Sequence, residues 1–361
     1  MKAVDVIIVG QGIAGTLLSF ELMEAGLSVM VVDATGLAGA SRVASGVINP
    51  VTGRRVVETW KIAALLPLAT SCYQRISSLL GIATVAKPLD ILAVHGSIQM
   101  QEAFNKRLQQ GSTYLKSVPN EEDYHTFFKM RDGLHGISPA ILIDLQNLFT
   151  AYRAYLIENN KLISAHFDWN ALQLPDSSQS SFVYQKEGIS LSSKWVIAAE
   201  GITSGQNPYF EQVAFRYNKG EALIISVPGL PREQIYKLRY SLVPWGDNQT
   251  DENLFWVGSS YQWDYKDDQP SVNFKEAVTA FLDAELLLPY QITDHLAAIR
   301  PASVNRRPFA GVHKDYPRLG LLNGLGTKGC SLAPYLARAW RDYIMEGKPF
   351  DLEVALETTR H

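Results

Sequence analysis

Residues 4–33 read VDVIIVGQGIAGTLLSFELMEAGLSVMVVD. Asp5–Val9 is a nearly unbroken apolar run, the pattern of a strand buried on both faces of a parallel sheet. Gly12 opens a helix whose Ala14, Leu18, Leu22 and Ala25 share one face, Gly26 is placed to end it, and Ser28–Asp33 reads as a second strand. Gly10, Gly12 and Gly15 match GxGxxG in that strand, turn and helix setting. The first glycine allows the tight turn, the second lets backbone approach a pyrophosphate, and the third lets helix pack on strand. The pyrophosphate then meets the helix N-terminus, where free N–H groups and the macrodipole favour anions. Asp33 is placed to accept from a ribose hydroxyl, with Ile13, Ala14 and Ala34 completing the expected contacts. The unit reads as a holder for the ADP half of a dinucleotide.

The chain has 361 residues, 47% of them hydrophobic and 19% charged, which permits a sizeable core and argues against disorder. Its 33 basic and 36 acidic residues are spread through the sequence, so nothing in the composition points to nucleic acid or an acidic membrane surface. Cys72 and Cys330 lie far apart with no CxxC spacing, as expected of free thiols in a reducing compartment. Val6–Leu18 after Lys2 imitates a signal peptide, but Asp5 and the glycine spacing favour a buried strand and helix. No apolar run reaches the roughly 18 residues of a membrane helix. These features predict a soluble, cytoplasmic protein without membrane insertion.

Beyond the opening unit, residues 35–55 form a loop rich in small residues and too long for an ordinary connection. Helical patterns cover Glu58–Leu80, Leu142–Asn159 and Val272–Leu287, and strand-like pieces cover Leu89–Val94, Leu162–Trp169, Lys194–Ala199 and Leu319–Leu322. Alternation across Ala214–Gly258 suggests an antiparallel sheet. A last helix is expected over Ser331–Met345. An NAD domain would continue promptly with further βα units; departure into a mixed region and return at Lys194–Ala199 favours flavin.

Four pieces, GASRVASGVINP (39–50), WVIAAEGITS (195–204), IRPASVNRRPFAG (299–311) and NGLGTKGCSLAP (323–334), together resemble the FAD-dependent amine and amino-acid oxidases of the D-amino-acid oxidase, glycine oxidase and sarcosine oxidase group, in order and across essentially the whole chain. The first and last also resemble the oxidase half of the bifunctional enzyme that modifies the tRNA wobble uridine. The resemblance implies an α/β plus α+β fold: a Rossmann-type FAD-binding domain (residues 1–75, 140–210 and 295–361) with an interleaved mixed-sheet substrate domain (76–139 and 211–294). It implies FAD, bound noncovalently because the cysteine that attaches flavin in some sarcosine oxidases is lacking. Ser41, Arg42, Ala44, Ser45, Gly46 and Val47 fall where the family's loop wraps pyrophosphate and flavin, and Phe167, in the strand entering the adenine end, falls near adenine. Ala199, Glu200 and Gly201 follow the returning strand, with Glu200 departing from the family's AAG pattern. Gly324, Gly326, Thr327, Lys328, Gly329 and Cys330 form a turn expected beneath the flavin pyrimidine, where Lys328 and the last helix's N-terminus would stabilise negative charge.

By the same resemblance Arg300, just before Pro301, would bind a substrate carboxylate as a bidentate pair. Tyr240 and Tyr261 are candidates for the family's assisting tyrosine, although alignment through LVP places Ser241 at that position. Thr327 replaces glycine oxidase's second arginine, which counts against glycine itself as substrate. Arg54 and Arg55 are placed to line an entrance. The expected reaction is oxidation of the C–N bond of a small amine or amino acid, with oxygen as acceptor. The alternatives are oxidative cleavage of a carboxymethylamino group on tRNA, against which the charge balance counts, and a dehydrogenase passing electrons to a quinone or a protein. Histidine and cysteine spacings offer no metal site, and GxSxG and P-loop motifs are missing.

Overall fold

The computed structural model describes residues 1–34, 39–53, 55–129, 132–176, 180–246 and 252–356. Its helices are α1 (Ile13–Glu24), α2 (Ala40–Val43), α3 (Ile62–Leu80), α4 (Ile98–Gln109), α5 (Leu145–Glu158), α6 (Val272–Glu285) and α7 (Gly329–Glu346). The opening βαβ unit forms as its pattern dictates. Lys2–Val9 pairs in parallel with Val29–Val32 on one side and with Ile189–Ala198 on the other. Leu162–Ile163 and Leu319–Asn323 extend this sheet in parallel at its two sides, and Phe309–Val312 and Phe182–Lys186 add antiparallel strands.

Helix α1 is buried all round from Ile13 to Leu22, because α7 packs along it and side chains such as Arg75 of α3 and Tyr152 of α5 cover what the sheet leaves open. Its Glu21 is almost wholly buried and is met by Arg75 of α3 and by Arg341 of α7, the latter at 3.1 Å. A carboxylate can be held in such a place only because it is paired on two sides.

A second, largely antiparallel sheet runs in the order Gln291–Ser303, Phe215–Ser226, Leu254–Gly258, Ser241–Pro244, Ile235–Lys237, Ile91–Val94, Leu134–Ile137, Leu115–Lys116. Alternation sends Leu223, Ile225, Leu242, Phe255 and Val257 toward α6, while Ala222, Ile224, Val243 and Trp256 face the main core shared with the first sheet. A three-stranded sheet of Val47–Ile48, Ile141–Ile143 and Ala86–Pro88 lies beside them.

Gln291–Ser303 is one strand paired along Phe215–Ser226, and residues 304–308 lead from it to Phe309–Val312 of the first sheet. Two sequence expectations change. The strand expected over Leu162–Trp169 is only Leu162–Ile163: Asp168 accepts from the Asn170 N–H (3.0 Å) and starts a 3-10 turn at Trp169–Ala171, so Phe167 lies in irregular chain. Helix α4 was not expected; Ser97 caps it, but Phe104 is its only fully buried residue, too little to print a period.

Candidate active site

The glycine turn of the sequence motif lies where the first strand meets α1. Gly10 has φ 102°, and a Cβ there would meet the Ala199 carbonyl of the neighbouring strand; a side chain on Gly15 would collide with the Gly10 carbonyl. Gly12 is the N-cap of α1 and brings no capping side chain, so the first turn's N–H groups are left to other partners. The Ser41 Oγ accepts from one of them, Ile13 N–H, at 3.1 Å. Asp33 Oδ1 accepts from Gln11 N–H (2.8 Å), and Asp33 Oδ2 accepts from Nη1 of Arg153 (2.8 Å), which also donates to Gln11 Oε1 (2.6 Å). Gln11 is 3% exposed, and its Nε2 has no partner among the described residues. A helix N-terminus capped at one N–H only, beside an acid and a spare buried amide donor, fits the ADP half of FAD. Arg153 was missed by sequence reasoning; it arrives from α5, and no local signal marks it.

The small-residue loop is tied down at its carbonyls. Gln146 Nε2 donates to the Arg42 carbonyl (2.7 Å) and Trp256 Nε1 to the Val43 carbonyl (2.9 Å), while the Arg42 guanidinium sits 5.4 Å from the Phe149 ring centroid. Gly46 has φ 83°, and a Cβ there would strike the Ile143 carbonyl. Val47 then pairs with Leu142. Ala44 stands between two cavities. The larger, about 360 Å³, is lined by Ser45, Lys87, Arg232, Glu233 and Trp245 among others; the smaller, about 20 Å³, lies among Ala40, Val43, Gly220, Trp256 and Arg300. Ala34 ends the described stretch before this loop, and Arg54 lies outside the described residues; Arg55 is exposed.

At the far end of the chain, Gly324 (φ 75°) and Gly326 (φ 55°) shape the closing turn, and the Gly326 N–H donates to the Pro301 carbonyl at 2.9 Å. A Cβ on Gly329 would stand 3.1 Å from Ile13 Cγ2, so the N-termini of α1 and α7 abut. Lys328 is the half-buried N-cap residue of α7; burial and then the nearby Arg307 and Arg306 push its ammonium pKa down. Thr327 is exposed. Cys330 is buried and its thiol is pushed up to about 12 by burial.

Phe167 stacks on Tyr184 (centroids 4.3 Å apart). Glu200 accepts from Trp169 Nε1 (2.9 Å) and Asn207 Nδ2 (3.0 Å), and burial raises its pKa against those two hydrogen bonds. Its carboxylate thus braces the Trp169 turn. Gly201 (φ 62°) gives its carbonyl to Asn323 Nδ2 (2.8 Å), joining the returning strand to the closing turn.

Arg300 pairs in register with Asn218 on the neighbouring strand. Its Nη1 donates to Asn218 Oδ1 (3.0 Å) and to the Ser260 carbonyl (3.2 Å), reaching across the strand at Gly220, where any Cβ would fall inside the guanidinium. Burial lowers its pKa to about 10, and it has no acidic partner among the described residues. Tyr261 lies close enough to oppose that shift, but is 46% exposed and packs edge-on against Trp263. Tyr240 is turned away: it packs on Phe274 and Phe281 of α6 (5.8 and 5.2 Å), the face opposite Trp256 and Val243. The two-residue period gives the cavity face to Ser241, which pairs with Gly258. The structure therefore brings Arg300, Ala44 and the closing turn around one region and leaves Tyr240 out of it.

Comparison with known proteins agrees with this layout. Residues 5–342 match a family model described as FAD dependent oxidoreductase. A glycine oxidase from Geobacillus kaustophilus is similar with TM-score 0.76 and 17% identity, covering 98% of this chain and 97% of that one. An L-amino acid deaminase from Proteus vulgaris, lacking its specific insertion sequence, gives 0.75 and 16% over 99% and 94%. An iminodiacetate oxidase from Chelativorans sp. BNC1 gives 0.72 and 17%, covering 96% of each. At such identities the likeness is one of fold.

Proposed function

The chain belongs to the FAD-dependent oxidoreductase (DAO) family, and on that premise we propose that it oxidises the C–N bond of a small carboxylate-bearing amine or amino acid, with FAD held noncovalently and oxygen as acceptor. The observation that carries this reading is Arg300, a largely buried cation lining a small cavity, with no acidic partner among the described residues. Leaving a cation so placed is costly unless a ligand supplies the counter-charge.

Bound FAD supplies the hydride acceptor that turns an amine into an imine open to water. The chain's own residues position the reactants. Arg300 takes the carboxylate in a low-dielectric setting that strengthens the pair and fixes the direction of the attached carbon. Gly10, Gly12, Gly15, Ser41, Asp33, Gln11 and Arg153 would hold the ADP half. Ala44, Ser45, Gly46 and Val47 would bring backbone to the flavin, and Gly324, Gly326, Gly329 and Lys328 would supply cationic and dipolar groups that stabilise negative charge on it. The protonated thiol of Cys330 is a poor nucleophile, in keeping with noncovalent binding.

Anaerobic bleaching of the purified yellow protein against a panel of amino acids and secondary amines tests the reading, with a peroxide assay for the acceptor. Arg300→Ala is expected to abolish bleaching by carboxylated substrates with FAD still bound; unchanged apparent affinity would remove Arg300 from the mechanism.

A further inference from the structure

Asn218 is wholly buried, yet only half of its amide is used among the described residues. Oδ1 accepts from Arg300 Nη1, and Nδ2 is buried with no partner there. The orientation follows from chemistry: a guanidinium carries only donors, so the carbonyl side of the amide must face it. Nδ2, on the same planar carbon, is therefore a spare donor beside the cation.

Resting on the reading of Arg300 as a carboxylate anchor, we propose that Asn218 is a specificity-determining positioning residue of the anion site: it orients the guanidinium without neutralising it. Arg300 is held by two neutral acceptors, Asn218 Oδ1 and the Ser260 carbonyl, and by no acid among the described residues. An aspartate of the same shape at 218 would keep the hydrogen bond but supply the counter-charge internally, and the site would no longer need an anion. Neutrality at this position is what keeps the site open to a carboxylate. Glu221 also lines the small cavity, but its carboxylate is occupied by Ser271, by His295 (3.1 Å) and by Lys219 (3.6 Å).

The test is acetate binding to the FAD-loaded protein, followed by saturation-transfer NMR on the acetate methyl and by perturbation of the flavin spectrum, with acetamide as the uncharged control. Asn218→Ala is expected to weaken acetate about tenfold and Asn218→Asp about a hundredfold, with acetamide unaffected by either. That order is diagnostic, because a residue needed only for packing would tolerate the isosteric aspartate better than alanine. Equal acetate affinity in wild type and both variants, or a greater loss in Asn218→Ala, overturns the proposal. Arg300→Ala separates the two readings. If it retains acetate, the arginine anchor fails and the Asn218 role with it; if it loses acetate while both Asn218 variants bind normally, Asn218 alone is wrong.

Discussion

Arg300 lies directly over Gly220, with its guanidinium occupying the space that a side chain on that residue would fill. The glycine is here a requirement of a neighbour's position rather than of its own backbone, since its φ is ordinary. Gly220→Ala is expected to expel the guanidinium from its seat and to cost about 1–3 kcal/mol of stability by overpacking. Kinetics should show a raised KM for carboxylated substrates with FAD occupancy unchanged, and urea unfolding should show the stability loss.

Gly12 and Gly15 are two residues of one motif with different duties. Gly15→Ala would drive a methyl into the Gly10 carbonyl, so the variant is expected to lose the βαβ packing and the flavin together. At Gly12 the nearest obstacle is Ser41 Oγ at 3.2 Å, so Gly12→Ala is expected to fold but bind FAD at least about tenfold more weakly. Far-UV circular dichroism paired with FAD titration distinguishes the two.

Arg153 holds both Asp33 and Gln11 at the ADP end. Arg153→Met should free the acid and the amide to turn, weakening FAD by about 10- to 100-fold, the range for removing a hydrogen-bonded charge. FAD retained through ultrafiltration as in wild type would remove Arg153 from the cofactor site.

His95, just past the strand Ile91–Val94, faces His135 of the second sheet, Nε2 to Nδ1 at 2.7 Å. Burial, and for His95 the neighbouring ring as well, lowers both from the ordinary value of 6.5. Their folded pKa values lie below the unfolded one, so the unfolded chain takes up more protons as the medium acidifies. Stability is therefore full above pH 6.5 and falls below it, by up to about 1.4 kcal/mol per pH unit for each proton. His135→Asn should flatten, without abolishing, the acid slope of the urea midpoint, because His295 and His313 shift in the same direction.

What could be read from sequence was local. The opening glycines and the apolar strand declare themselves within thirty residues, and the closing glycine turn within twelve, because each need is met by near neighbours. Arg153 could not be read: it meets Asp33 across 120 positions, and nothing around it on α5 differs from an ordinary polar face. Asn218 and Gly220 were likewise silent, since their meaning depends on the register that sets Asn218 against Arg300. Tyr240 and Ser241 show the limit from the other side. Adjacent in sequence, they face opposite layers, and only pairing with Gly258 decides which looks at the cavity.

The hydrogen bond from Gly326 to Pro301 sets the closing turn one residue from Arg300 along the same strand. On the proposed reading, that strand serves as a common ruler for the grip on the acid end of the amine and the support under the ring. Lengthening it by a single residue before Arg300 would shift both gauges at once, so flavin retention and acid recognition should vanish together, although neither motif had been altered.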